Sequence, residues 1–249
     1  MSEIDIRHVE EATAHMLPAQ ETVFEDGWMF RFNTGVSRNT NAVWPLTAAP
    51  DGLESRIESC ERAYAERGLP CNFRLTPLDE GKVIESFLLA RGYTPLRPMI
   101  VMTCPMTEPA DGLVGDDLTE IDLDAWLDLV RRINDDPKAH GLQAKREALT
   151  GLSLPVWYTA LVRDGRECSY GRSVQHEDLY QLAELFTVAE LRGQGLGTQL
   201  IHGLTKIGRE AGARTAYVQG VTESNTGARR LYERLGYRDA YRFHYMTPP

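Results

Sequence analysis

Apolar residues recur at the spacing of an amphipathic helix in both halves of the chain. One such run predicts a helix over 52–67, with a shared apolar face formed by Leu53, Ile57, Cys60 and Ala63/Tyr64. A second run predicts a helix over 195–211, with an apolar face formed by Leu196, Leu200, Leu204 and Ile207. Further helices are predicted over 8–17, 82–90, 123–134, 142–150 and 226–235. Strands are predicted over 20–25, 27–33, 38–46, 71–76, 95–104, 155–163, 167–174, 179–188, 215–221 and 240–247.

The chain contains an internal repeat. Residues 88–103 read LLARGYTPLRPMIVMT and residues 232–247 read YERLGYRDAYRFHYMT, so at an offset of 144 Gly92-Tyr93 aligns with Gly236-Tyr237 and Met102-Thr103 with Met246-Thr247. Each half is also predicted to end in the order strand, helix, strand, helix, strand. A repeat of about half the chain indicates two similar modules. The segment PMTEPADG, residues 105–112, is the predicted linker because it is rich in Pro and Gly.

Composition narrows the functional class. Of the 249 residues, 42% are hydrophobic and 25% are charged, which is typical of a globular protein with a substantial core. The net charge of −9 disfavours nucleic-acid binding through a basic face. No apolar run is long enough to span a membrane, and the N-terminus shows no signal-peptide pattern, so we expect a cytoplasmic protein. The four cysteines lack metal-ligand spacing and are expected to be reduced thiols, with no metal site.

A glycine-rich turn precedes the second long helix. Residues 185–200, LFTVAELRGQGLGTQL, predict a strand, a tight turn and a helix, with Arg192, Gly195 and Gly197 forming R-x-x-G-x-G. Glycines at a helix entry let backbone N–H groups converge on an anion, and the helix dipole adds up to about 1–2 kcal/mol. The turn therefore favours a diphosphate ligand, although a purely structural turn is the simpler alternative. A dinucleotide fingerprint would need a third small residue at Thr198 and a later acidic residue, and a P-loop would need G-K-[ST].

A second motif, NTGARRLYERLGY, occupies residues 225–237. Asn225 is suited to begin a helix and Gly236 to end it in a left-handed cap. These local roles do not account for Tyr232 or for the Arg229-Arg230 pair about 30 residues after the glycine turn.

Together, and in this order, the two motifs resemble the GNAT superfamily of acetyl-CoA-dependent N-acetyltransferases. The good match covers roughly 155–249, and the superfamily fold is expected over 115–249. The residues that carry the resemblance are Thr187-Val188, Arg192-Gly193-Gln194-Gly195-Leu196-Gly197, Gln219, Asn225, Ala228 and Leu231-Tyr232-Glu233-Arg234-Leu235-Gly236-Tyr237. One departure is Ala189, where the family often has proline.

The resemblance implies roles for individual residues. The pyrophosphate of acetyl-CoA would be held by Arg192 and by the amides of Gly193, Gln194, Gly195, Leu196, Gly197 and Thr198. The pantetheine arm would pair with the backbone of Phe186, Thr187 and Val188 and bond to Asn225, while an amide near Val188 would polarise the thioester. Tyr232 would protonate the departing thiolate. Arg229 and Arg230 would either reach the 3′-phosphate or form a solvated helix face.

No general base is identified by a motif. Glu184 is the preferred candidate because it lies on the strand that leads into the expected cleft. His176, Glu177 and Asp178 lie in the preceding hairpin, and a water chain is an alternative to any side chain.

The first half has the same predicted order of elements without the chemistry. Residues 45–53, PLTAAPDGL, replace the phosphate turn, and Leu88 stands where Tyr232 stands in the repeat. Its segment around Gly27-Trp28 resembles bacterial two-module GNAT proteins with a G-W-x-x-R…G-x-[ST]-x-R-x-x-N-x-V signature. Five residues in and beside this segment either line an acceptor pocket or dimer face, or belong to the core: Trp28, Arg31, Arg38, Asn41 and Trp44.

The predicted fold class is α/β (α+β), with a degenerate GNAT-like module over 1–106 and a catalytic module over 113–249. Each module is expected to hold a mixed, mostly antiparallel sheet, flanked by helices, with a splayed parallel strand pair. The predicted activity is acetyl transfer from acetyl-CoA to a primary amine of a small molecule or peptide, with no nucleic-acid or membrane partner and a possible homodimer. The alternatives are a non-catalytic acyl-CoA-binding regulatory module and, less favoured, a dinucleotide-binding oxidoreductase.

Overall fold

The computed structural model describes residues 4–34, 37–106, 118–134 and 139–249. Its strands are β1 (Glu21–Glu25), β2 (Trp28–Phe32), β3 (Ala42–Pro45), β4 (Phe73–Leu75), β5 (Thr94–Pro95), β6 (Met99–Pro105), β7 (Leu118–Ile121), β8 (Val156–Arg163), β9 (Arg166–His176), β10 (Leu179–Thr187), β11 (Thr215–Val221) and β12 (Arg238–Thr247). Its helices are α1 (Ile6–Met16), α2 (Leu53–Ala65), α3 (Val83–Ala90), α4 (Leu123–Asn134), α5 (Ala139–Thr150), α6 (Leu196–Glu210) and α7 (Thr226–Arg234).

The chain forms two compact units. Unit 1 comprises Met1–Val101 together with Ala240–Pro249, and unit 2 comprises Met102–Asp239. These units differ from the predicted modules at the C-terminus, because the last ten residues belong to unit 1. Of the predicted linker, residues 107–112 lie outside the described residues.

Two predicted strands are shorter or divided. The strand predicted over 38–46 is reduced to β3, preceded by a 3-10 turn at Arg38–Thr40. The Asn41 side chain explains the break, because it donates to the Ser37 carbonyl at 2.7 Å and accepts from the Asn33 N–H at 2.8 Å. The strand predicted over 95–104 becomes β5 and β6, since Pro95 and Pro98 lack the N–H that a continuous ladder requires. Strand β7 was not predicted.

Unit 1 is built on a mixed sheet in the order β1-β2-β3-β4-β12. The β3–β4 pair is parallel, with a single register partner, Val43 opposite Phe73, and its neighbours pair antiparallel. Helices α2 and α3 cover one apolar cluster that includes Trp28, Tyr64 and Phe73. A brief parallel pair inside an otherwise antiparallel sheet is the predicted arrangement.

The internal repeat is also a structural repeat. Gly92 follows α3 with φ +87° and Gly236 follows α7 with φ +90°, the left-handed region that glycine adopts without strain. The next residues, Tyr93 and Tyr237, both donate their N–H at 3.0 Å to a carbonyl five residues earlier. Each helix therefore ends in the same Schellman motif, which confirms the predicted cap at Gly236.

A buried ionic cluster occupies the other side of unit 1. Arg74 donates to both oxygens of Glu10 at 2.6 and 2.7 Å, and both side chains are fully buried. The Tyr241 hydroxyl donates to Glu10 at 2.6 Å, and the Arg74 guanidinium lies 4.4 Å from the centroid of the Trp44 ring. Every acceptor oxygen of Glu10 thus has a donor, as a buried charge requires.

Four of the five residues singled out in the first half are buried. Arg31 is fully buried against the same Trp44 ring, at 4.8 Å, and donates to the carbonyls of Ala14 and Leu17 at the end of α1. A cation at a helix C-terminus is favoured by the helix dipole. Trp28, Asn41 and Trp44 are buried as well, while Arg38 is exposed. For the buried four, the structure favours the core interpretation over a pocket or dimer face.

Unit 2 holds the second mixed sheet, in the order β11-β10-β9-β8-β7. Strands β10 and β11 are parallel and the other pairs are antiparallel. Helix α6 contacts β9 at Gly171, through Leu200 and Leu204. Helix α4 contacts β9 at the neighbouring Tyr170, through Trp126. Successive strand residues face opposite sides, so the helices cover both faces of the sheet. Within the described ranges, no helix is long and apolar enough to cross a membrane.

We expect Glu10→Gln to lower the free energy of unfolding by about 3–5 kcal/mol, because it leaves the buried Arg74 without its countercharge. The matched control is Glu11→Gln, one residue later in α1, whose partner Arg7 is half exposed and whose ion pair contributes about 0–1 kcal/mol. Urea denaturation of the two variants tests the difference. Equal, small shifts of the midpoint would show that the buried pair contributes no net stability.

Candidate active site

The two parallel strands of unit 2 separate along their length. Leu179–Gln181 of β10 pair with Thr215–Tyr217 of β11, and no later pair follows in this register. A bulge between Ala183 and Phe186 shifts the pairing of β10 with β9, and Glu184 within it adopts φ +54°. From Ala183 onward the strand changes from buried to half-buried. The C-terminal half of β10 therefore borders an open cleft.

The backbone of β10 presents one polar edge to this cleft. The Val188 N–H donates to the Cys168 carbonyl at 3.0 Å, so it faces β9. Successive residues of a strand direct their N–H and C=O groups to opposite edges, so those of Thr187 face the cleft. The Val188 N–H is therefore not available to a thioester in the cleft, so the amide predicted near Val188 must be another N–H of this edge.

The glycine-rich turn leads directly into α6. Gly193 and Gly195 both have φ +79°, and a side chain there would be strained although nothing lies within 4 Å of a Cβ at either position. Residues 192–195 are exposed, whereas Leu196 is buried and anchors the helix. The N-terminus of α6 has no side-chain cap. Its first N–H groups are thus available to an anion, as expected for a phosphate-binding turn.

Arg192 lies across the end of β10. Its Nε donates to the Thr187 carbonyl at 3.2 Å, and its guanidinium lies 5.4 Å from the centroid of the Phe186 ring. Phe186 in turn stacks on Tyr170 at 5.4 Å. In this conformation Arg192 donates to the Thr187 carbonyl, which is the acceptor on the cleft edge of β10.

Helix α7 meets the turn at Gly197. A Cβ at Gly197 would lie 3.2 Å from Leu231 Cδ2 and 3.8 Å from Thr187 Oγ1, so only a very small residue fits between β10 and α7. Asn225 begins α7 by accepting the Ala228 N–H at 3.2 Å, which confirms the predicted N-cap. The two predicted motifs therefore converge on the open end of β10.

Tyr232 follows Leu231 on α7. Its side chain is 9% exposed and packs against Tyr237, with ring centroids 5.6 Å apart. Burial raises the pKa of Tyr232 to about 12, so the hydroxyl keeps its proton across physiological pH. Among the residues that the structure describes, none forms a hydrogen bond with this hydroxyl. Arg229, by contrast, is paired with Glu233 and Asp239 at 2.9 Å each, and Arg230 is exposed.

Glu184 is held by two cations on the face of the sheet that α4 covers. Its carboxylate accepts from Arg172 Nε at 2.9 Å and forms an ion pair with Lys145 of α5. Burial opposes ionisation of Glu184, but Arg172 and Lys145 outweigh it and hold the pKa below its ordinary value. Glu184 is consequently a carboxylate at neutral pH and a weak base while both cations are in place.

Comparison with known proteins identifies the family. Residues 121–237 match the family described as "Acetyltransferase (GNAT) family". Residues 3–152, more than half of the chain, match the family described as "Probable histone acetyltransferase Rv0428c C-terminal". The chain belongs to the GNAT acetyltransferases. It is also 26% identical over 263 aligned residues to "Uncharacterized N-acetyltransferase YobR" of Bacillus subtilis, covering 97% of this chain and 98% of that protein.

Solved structures extend the similarity to the whole fold. A GCN5-related N-acetyltransferase from Kribbella flavida superimposes with a TM-score of 0.74 at 15% identity, covering 100% of this chain and 97% of the other. A tandem GNAT protein from the clavulanic acid biosynthesis pathway gives a TM-score of 0.70 at 14% identity, covering 99% and 90%. The predicted tandem GNAT fold is thereby confirmed, and family membership supports an acetyl-CoA-dependent N-acetyltransferase over a binding module.

The predicted site residues of this GNAT enzyme fall into two groups. Those on the β10 end, the glycine turn and α7 lie around one cleft. The alternative bases His176, Glu177 and Asp178 lie at the opposite end of β10, about 20 Å from the bulge at roughly 3.3 Å per residue. They are poorly placed for the chemistry.

Sequence reasoning missed Arg172 and Lys145. Arg172 is only 2% exposed and falls at an inward-facing position of β9, in series with Cys168, Tyr170 and Val174. A charged residue in an otherwise apolar alternating series is visible in the sequence, so Arg172 could have been singled out. Lys145 offered none, because its contact with Glu184 joins residues 39 positions apart.

Proposed function

We propose that this chain transfers the acetyl group of acetyl-CoA directly to a primary amine of a small molecule or peptide. The observation that carries the proposal is the convergence at Gly197 of the uncapped α6 N-terminus, the cleft edge of β10 and the helix that bears Tyr232. This arrangement offers an anion site, a strand edge and a buried acid in one cleft. A homodimer stays a prediction.

Binding of the co-substrate uses the backbone more than side chains. The amides of residues 193–198 and Arg192 bind the pyrophosphate, at the positive end of α6. Thr187 pairs with the amides of the pantetheine arm as an added strand would. Arg192 must then release the Thr187 carbonyl. The Asn225 oxygen caps α7, so its amide NH₂ is the group that reaches the pantetheine.

Three groups of the chain assist the transfer. A backbone N–H of β10 near Val188, on the cleft edge that Thr187 also faces, stabilises the charge that develops on the thioester oxygen. Glu184 attracts the acceptor ammonium and passes its proton to water. Tyr232 protonates the departing thiolate, whose own proton affinity rises in the same apolar surroundings.

The acceptor is an amine that arrives next to Glu184 as its ammonium form and gives up a proton there. The family matched by residues 3–152 is described as a probable histone acetyltransferase, which supports a lysine side chain of a basic peptide as one acceptor. The net charge of −9 is compatible with such a cation.

Acetyl-CoA is expected to raise the melting temperature of the wild type by a few degrees, since ligand at about 100 times its Kd adds about 2.7 kcal/mol. Gly195→Glu places a strained, negatively charged side chain at the phosphate turn and should abolish the shift. Gly212→Glu is the matched control, because Gly212 at the other end of α6 has φ +87° and equally open surroundings. Loss of the shift in both variants, or in neither, would argue against this binding site.

Tyr232→Phe is expected to lower kcat by about 10²–10⁴-fold, as loss of a general acid does, with little change in KM for acetyl-CoA. Released CoA thiol is measured with spermidine, an aminoglycoside and a lysine-containing peptide as acceptors. Tyr237→Phe removes a neighbouring buried hydroxyl and should leave kcat within about twofold. Equal effects in the two variants would remove Tyr232 from the acid role.

A further inference from the structure

We infer that the Lys145 side-chain amine is an acceptor for this enzyme's own acetyl transfer, which makes Lys145 a self-acetylation site. This inference rests on the proposed function. Its starting point is the ion pair between Lys145 Nζ and Glu184 Oε1, which brings a primary amine of the chain to the carboxylate at the β10 bulge. Glu184 lies three positions after Gln181, the last residue of β10 paired with β11.

Lys145 reaches the bulge from the face of the sheet opposite α6. Arg172, which shares Glu184, follows Gly171, and Gly171 faces Leu200 and Leu204 of α6. Consecutive strand residues face opposite sides, so Arg172, Glu184 and Lys145 meet on the α4 and α5 face. Direct transfer requires donor and acceptor to meet from different directions. Lys145 approaches from the face opposite α6, the helix whose N-terminus would bind the pyrophosphate.

The surroundings of Lys145 resemble those of a bound alkylammonium. The side chain is 30% exposed, and Nζ lies 5.7 Å from the centroid of the Trp126 ring, within the range of a cation–π contact. Trp126 contacts Tyr170, which stacks on Phe186 of β10. A carboxylate and an aromatic wall thus hold the amine at the open end of the strand.

The remaining lysines provide an internal comparison. The sequence contains four: Lys82, Lys138, Lys145 and Lys206. Lys82 and Lys206 are 75% and 53% exposed and pair with Glu85 and Glu210, three and four residues later in the chain. Lys138 lies outside the described residues. Spontaneous acetylation follows exposure and would favour Lys82 and Lys206 over Lys145, whereas catalysed transfer would reverse that order.

The transfer balances without any further reactant. The Lys145 ammonium gives one proton through Glu184 to water, and the Nζ lone pair forms a bond to the acetyl carbonyl carbon. As the tetrahedral intermediate collapses, the nitrogen gives its second proton to water by the same route and becomes the neutral amide. The carbon–sulfur bond breaks, and the thiolate takes the Tyr232 proton, which solvent then replaces. One acetyl-CoA yields one CoA thiol and one acetyl-lysine amide, with no oxidation or reduction.

Acetylation would change the electrostatics of Glu184. The acetylated side chain carries no charge, so Glu184 would keep Arg172 as its single cationic partner. Arg172 and Lys145 both lower the pKa of Glu184, so the loss of one of these cations moves that pKa back toward its ordinary value. The carboxylate would become a better proton acceptor, and its outer side would be free for the ammonium of an external amine.

The test uses the full chain incubated with acetyl-CoA and no added amine, followed by intact mass and peptide mapping over time. The expected result is one acetyl group on Lys145 before any on Lys82 or Lys206, at a rate independent of protein concentration. Tyr232→Phe should slow labelling of Lys145 by about 10²-fold or more, and Gly195→Glu should prevent it. Lys145→Arg, which keeps the cation beside Glu184, should take up no acetyl at this position.

Several results would overturn the inference. Labelling of Lys82 and Lys206 first, no label on Lys145, or equal labelling of Lys145 in the Tyr232→Phe and Gly195→Glu variants each contradicts it. A labelling rate that rises with protein concentration assigns Lys145 to transfer between copies and contradicts the internal route. If Lys145 stays unlabelled while acetyl-CoA shifts the melting temperature and added amines release CoA, the self-acetylation inference fails and the proposed function is upheld. If acetyl-CoA causes no shift, both fail.

Discussion

Strands β10 and β11 pair over three residues and then part, and the rest of the candidate site depends on that separation. A parallel ladder that continued past Gln181 and Tyr217 would consume the outward edge of Thr187. The bulge at Glu184 redirects β10 while it stays bonded to β9, so the strand is firmly held on one side and open on the other. A strand edge is normally a liability, and here it is the surface on which a co-substrate arm would be recognised.

Without a ligand, the polar groups around this edge are paired with charged side chains of the chain itself. Arg192 covers the Thr187 carbonyl, and Lys145 and Arg172 cover the Glu184 carboxylate. Buried and half-buried polar groups are costly when unpaired, so these contacts stabilise the protein without ligands. They also oppose ligand binding, because the arginine and the lysine must move or react before the edge and the carboxylate are available.

Unit 1 repeats the architecture and fills the corresponding space with its core. It has the brief parallel pair, and it has the same helix cap at Gly92. However, Leu88 stands in the position of Tyr232 and is fully buried. The arginine of the buried Glu10–Arg74 pair and the buried Arg31 both pack against the Trp44 ring in the interior of the unit. The same framework is therefore compatible with a packed interior or with a cleft, depending on which side chains enter it.

The sequence alone determined the features that depend on neighbouring residues. Helical spacing predicted α2 and α6, the Asn225 and Gly236 caps predicted both ends of α7, and the glycine-rich motif predicted the tight turn that leads into α6, because periodicity, capping and φ preferences act over a few residues. Only the tertiary structure decided that Ala240–Pro249 belong to unit 1, that the Val188 N–H is bonded to β9, and that Lys145 and Arg172 meet Glu184. Those facts follow from strand register and from contacts between distant residues, and a one-residue change in register reverses which groups face the cleft.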